Sequence, residues 1–180
     1  MGRSGDREMG RKIETEKCFN QSPNYPITPS LRLVILLATG FGAGFSPVVP
    51  GTMGTLIAIP IYYFISSISF PLYELTLVAF FFFSSWVAGQ AEQYWEKKDD
   101  RRIVIDEIVG FLVTMLWVTK TPLSIVFGFV LFRFFDILKP FPIRDLERVK
   151  SGFGVVLDDV LAGIYSNIIL HIILRFWSWS

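Results

Sequence analysis

Three groups of charged residues in this chain have types and spacings suited to chemistry: Asp106-Glu107, Arg133-x-x-Asp136-x-x-Lys139, and Asp158-Asp159. On a helix, Arg133 and Asp136 share a face, and Lys139 continues the stripe. Neighbouring residues splay about 100° apart, so one acid of each adjacent pair is expected to face a common site. Five carboxylates beside two cations are expensive to ionise together in a low dielectric. A hard divalent cation relieves that cost, and oxygen ligands suit Mg²⁺. Arg133 can grip a phosphate with two bonds, and Lys139 can add a point charge. Residues for covalent phosphoryl chemistry are absent. The sequence has no Cys-x5-Arg, no Asp-x-Asp-x-Thr and one histidine only, His171. The pattern therefore favours metal-activated water over a covalent intermediate.

The surroundings of these groups are strongly apolar. Hydrophobic residues make up 52% of the chain and charged residues only 18%, too few to coat a soluble globule of ordinary composition. Uncharged runs extend over 33–73, 75–91, 108–119, 121–132 and 160–174. Several are shorter than the roughly 20 apolar residues that a bilayer-spanning helix needs. The flanking charges then belong to the membrane-level helices. The reading is an all-α, multi-pass helical membrane protein, with helices near 31–44, 53–69, 72–95, 103–118, 122–138 and 155–177. Pro71, Pro122 and Pro140 mark junctions, and Trp177 and Trp179 suit an interfacial belt. The first element, 31–52, is expected to be re-entrant or broken. Its Gly/Pro-rich centre at 40–54 requires irregular backbone, which membrane proteins tolerate when it is enclosed. Glycines there allow close approach to an anion, with Ser46 and Thr52 as phosphate contacts and Thr52 or Thr55 as a helix cap.

Basic residues set the orientation. Clusters lie in the N-terminal stretch, at 97–102, and at Lys139, Arg144, Arg148 and Lys150. Placing all of them in the cytoplasm makes 53–95 and 103–138 two hairpins. The acidic groups and the Gly/Pro stretch then converge on one cytoplasmic face. Residues 1–30 read as a polar, disordered tail and 31–180 as the membrane domain. Cys18 lies in the tail and reads as incidental. The charges at 97–102 read as interface anchors. The short acids at 106–107, 136 and 158–159 cannot snorkel far and read as functional. His171 lies about 18 Å along its helix from Asp159 and reads as a packing residue. A net charge of +1 with no basic domain excludes nucleic acid as a partner.

Four blocks carry a further likeness: GFGAGFSPVVPGTMGTL at 40–56, IVIDEIVGF at 103–111, FRFFDILKPFPIRDLE at 132–147 and GFGVVLDDVLAG at 152–163. In content, order and spacing they resemble the phosphatidylglycerophosphatase A family, over roughly 33–175. The resemblance implies a Mg²⁺-dependent phosphatase of the bacterial inner membrane. Such an enzyme hydrolyses the lipid phosphatidylglycerol phosphate to phosphatidylglycerol and phosphate. By matching position it makes Asp106, Glu107, Asp136 and Asp158 metal ligands or catalytic groups. Arg133, Lys139 and Asp159 come next. Two readings from other classes stand beside it. A small transporter or channel would scatter carboxylates near the midplane or show inverted repeats. A non-catalytic assembly factor would use the same charges only as anchors.

Overall fold

The structure, a computed structural model of the 180-residue chain, describes residues 28–146 and 152–177. Most of the polar stretch 1–30, with Cys18, lies outside the described residues, as do Arg148, Lys150 and Trp179. Among the described residues every regular element is a helix: α1 Pro29–Ala38, a 3-10 turn Ala43–Phe45, α2 Pro50–Ile65, α3 Phe70–Trp95, α4 Ile105–Thr114, α5 Pro122–Leu138, α6 Ile143–Leu146 and α7 Gly152–Trp177. Prolines open α1, α2, α3 and α5 in their first turn, where a missing N–H costs nothing. Thr28 and Thr121 cap α1 and α5, each hydroxyl accepting from a backbone N–H three residues on. α5 ends at Lys139, which takes the left-handed conformation at φ 44°.

Among the described residues two helices are long and apolar enough to cross a membrane. They are Phe70–Trp95 and Gly152–Phe176, with mean hydropathies of 1.5 and 1.6. α4 is not one of them. At ten residues it rises only about 15 Å, and it is buried nearly all round, from Ile105 through Val109 and Phe111 to Thr114. α2, α3, α5 and α7 enclose it. Small residues permit this. A Cβ on Gly110 would collide with the Phe132 ring and the Asp159 carbonyl, and one on Gly163 would collide with the Gly110 carbonyl. Backbone approach of this kind is how helices associate in lipid, where apolar burial between helices gains little.

The helix expected over 103–118 thus stops at Thr114, and buried or partly buried polar side chains meet carbonyls of its end and of the turn that follows. Asn167 Nδ2 donates to the carbonyls of Thr114 (2.9 Å) and Leu116 (2.8 Å). His171 Nε2 lies 3.1 Å from the Leu116 carbonyl. Tyr73 donates to Leu112 at 2.8 Å and Tyr62 to Val118 at 3.3 Å. Orphan carbonyls at a buried helix end need such partners. The expected first element, 31–44, is likewise shorter and broken at Thr39. The Val104 N–H donates to the Ala38 carbonyl at 2.8 Å, which fastens α1 to the start of α4.

Candidate functional site

The site sits where four segments meet at the N-terminal end of α4. Asp106 and Glu107 form the first turn of that helix. Arg133 and Asp136 occupy the last turns of α5, and Lys139 caps it. Asp158 and Asp159 lie two turns into α7. Gly51, in the first turn of α2, completes the ring, because a side chain there would collide with Glu107 and the Arg133 guanidinium. A side chain at 51 would displace the ends of Glu107 and Arg133 from these positions. The residue before Pro50 is Val49, at φ 53°, a strained conformation for a β-branched side chain next to the site.

The acids divide by role. Asp106, Glu107 and Asp159 each offer a carboxylate oxygen, and these oxygens lie within 4.8 Å of one another. Asp136 pairs with Arg133, Oδ2 to Nη1 at 2.6 Å, and its carboxyl also meets that of Asp159. Asp158 accepts from Lys139 Nζ at 2.7 Å. Of the residues implied as metal ligands, Asp106 and Glu107 stand in the oxygen triad, joined by Asp159 rather than Asp158. Asp136 and Asp158 stand beside it, each holding a cation side chain. The split between 158 and 159 follows from the helix turn between them, which points one acid at α4 and the other at the Lys139 cap.

The donor set fits a hard divalent cation. All three triad ligands are carboxylate oxygens, the preferred donors of Mg²⁺ or Ca²⁺. Two buried acids and a partly buried one this close together need a cation or protons to coexist. Glu107 Oε2 is buried without a hydrogen-bond partner among the described residues. On the other side stands Arg133, whose Nη1 is 4.0 Å from Glu107 Oε1 and whose Nε is also buried without a hydrogen-bond partner. A guanidinium with unspent donors beside an acidic triad is equipped to receive an anion.

Other sequence candidates lie elsewhere or act differently. Ser46 is turned onto its own loop, donating to the Val48 carbonyl at 3.0 Å. Thr52 and Thr55 fall inside α2 instead of capping it, since the helix begins at Pro50 and Val49 is its cap. Thr55 donates back to the Gly51 carbonyl. Not all charges at 97–102 are surface anchors. Asp100 is buried at 4% exposure. It accepts two bonds from the Arg102 guanidinium, at 2.8 and 3.0 Å, and lies 3.4 Å from Lys97. Arg102 also stacks over Trp95, 4.3 Å from the ring centroid. Burial alone would raise the Asp100 carboxyl, but the Arg102 hydrogen bonds and charge hold it below the usual range. This cluster braces the loop leading into α4. Asn167 escaped notice in the sequence, although a lone amide in an apolar helix is a signal of buried hydrogen bonding.

Fold and site together define a helical protein with two membrane-length helices among the described residues and an acidic cluster that could hold a metal ion, with an arginine beside it. Residues 36–174 match the family Phosphatidylglycerophosphatase A. A phosphatidylglycerophosphatase A of Escherichia coli K12 is 38% identical over 144 residues, covering 79% of this chain and 84% of that protein. Another, from Haemophilus influenzae Rd, is 35% identical over 150 residues, covering 82% and 91%. A Bacteroides thetaiotaomicron protein with the provisional name of phosphatidylinositol-3-phosphatase is 40% identical over 148 residues, covering 78% and 92%. No solved structure gives a significant match. The chain belongs to the phosphatidylglycerophosphatase A family, and it is a phosphatase.

Proposed function

We propose that this protein hydrolyses phosphatidylglycerol phosphate to phosphatidylglycerol and phosphate, with Mg²⁺ held by Asp106, Glu107 and Asp159. The observation that carries the reading is the carboxylate-oxygen triad packed against Arg133, whose buried Nε lacks a hydrogen-bond partner among the described residues. The 31–180 region is then one multi-pass helical domain of a bacterial inner membrane. The site faces the cytoplasm, where the described basic residues at 97–102, Lys139 and Arg144 cluster.

When bound, the cation supplies charge neutralisation and a more acidic water. The chain does the rest. Arg133 receives the phosphomonoester through its unspent N–H groups, and Asp136 holds the guanidinium in place. Lys139, oriented by Asp158, adds positive charge on the far side of the phosphate. Glu107 takes the proton of the attacking water. The new P–O bond forms, the P–O bond to the glycerol oxygen breaks, and that oxygen takes up the proton.

A second reading has its own support. The name of the Bacteroides relative points to phosphatidylinositol 3-phosphate, whose phosphate is also a monoester at the membrane surface. Purified protein should be offered both lipids in mixed vesicles and assayed for free phosphate. The proposal expects turnover of phosphatidylglycerol phosphate to dominate. Preferential release from phosphatidylinositol 3-phosphate would replace it with the second reading, and release from neither would overturn both.

A further inference from the structure

Resting on that functional reading, we infer that the substrate lipid reaches the site sideways through a portal between the first turn of α2 and the last turn of α5. Its acyl chains would be seated against Val48, Val49 and Met53 on one lip and Ile137, Leu138 and Phe141 on the other.

The two lips are tied to the site by covalent connection. Val48 and Val49 lead directly into Gly51, which abuts Glu107 and Arg133. Leu138 and Phe141 flank Lys139, whose ammonium holds Asp158. All six lip residues are exposed, Phe141 at 83% and Val48 at 70%. Large apolar side chains this bare, next to the most polar part of the molecule, conflict with an aqueous setting. From Leu33 to Tyr73, moreover, the chain carries no charge. α2 and α5 pack against each other only sparsely, while both pack against other helices. Where they do approach, Gly51 on α2 abuts the Arg133 guanidinium of α5, which is 13% exposed, so the apolar rim lies beside the site's arginine. A ligand with a phosphate at one end and hydrocarbon at the other matches both. The bilayer leaflet supplies such a ligand without lifting it into water.

Two measurements test the portal on the full chain in vesicles. The first compares Val48→Asp and Phe141→Asp with wild type on long-chain phosphatidylglycerol phosphate and on its dibutyryl counterpart. The portal predicts that kcat/KM for the long-chain lipid falls about tenfold or more, from the lost apolar contact, and that for the dibutyryl lipid is unchanged. Equal losses on both substrates, or none on either, overturn it. The second keeps the side chains uncharged. A small fluorophore is placed on Val48→Cys or Phe141→Cys in a Cys18→Ser background. Quenching by lipids brominated in their acyl chains is expected at both positions. Quenching only by aqueous iodide overturns the portal, whatever the charged variants do. Wild type inactive on both lipids, with acyl-chain quenching intact, would reject the functional reading and leave the lipid contact standing.

Discussion

Asp106, Glu107 and Asp159 share one small volume, so each should be indispensable. Replacing Asp106 or Asp159 with Asn should lower phosphate release by about 100- to 10,000-fold, the usual span for groups acting on the reacting centre. Membrane insertion should survive, as checked by extraction and size-exclusion profile. Arg133→Lys keeps the charge but loses the fork, and a raised KM is expected from the assay on the same lipid. A different outcome belongs to Asp100, which braces a loop. Its carboxyl is held below its ordinary range, so its contribution is present at neutral pH and lost as pH falls through that lowered value. Asp100→Asn should reduce stability at pH 7 by about 1–3 kcal/mol. The gap from wild type should narrow as pH falls through the lowered range of the wild-type carboxyl, where it also takes a proton. Thermal melts in detergent at neutral pH and through that lowered range check the sign. These carboxylates were visible in the sequence because short acids at membrane level have few bland explanations. The partition of Asp158 from Asp159 was not. It depends on which side of α7 faces α4, and only packing decides that.

α4 is the element that carries the first two acids, and both of its ends are pinned. Its start hangs on the Ala38 carbonyl through Val104, and its last carbonyls hang on Asn167, Tyr73 and His171. Gly110→Val should be the most damaging apolar substitution in the helix, because Phe132 and the α7 backbone leave no room. The expected readout is loss of a monodisperse detergent peak, with Val113→Leu, at a half-buried position of the same helix, as the tolerant comparison. Helix starts at prolines 50, 71 and 122 were legible to within three residues, and α5 spans the expected 122–138. The end of α4 was not legible. Its apolar pattern runs on past Thr114, and the groups that stop it lie some fifty residues away in sequence. Periodicity reports a helix's own faces, while distant hydrogen-bond partners leave only single-residue traces such as Asn167.

At the scale of the molecule, a short buried helix stands inside a ring of longer ones, and the charged groups gather at one end. Phe132 meets Phe111 edge to face, and Tyr62 meets Phe111 in the same way. This layout was partly written in the sequence. Charges at the start of one helix, the end of the next and the start of the last can share a face only if the helices alternate in direction. The wrapping of 40–54 around the segment that leads into α4 had no such signature. It depends on glycines fitting against particular atoms, Gly44 against the Arg102 backbone and Gly51 against Glu107. The central claim is that the triad works by holding a divalent cation beside Arg133. The most direct measurement is phosphate release from phosphatidylglycerol phosphate by chelator-stripped protein as Mg²⁺ is added back, in wild type and in Glu107→Gln. The account predicts that stripped wild type is inactive and recovers with saturable Mg²⁺ dependence, while Glu107→Gln stays inactive at every concentration. Full activity of the stripped protein, or a Glu107→Gln variant that recovers like wild type, would contradict it.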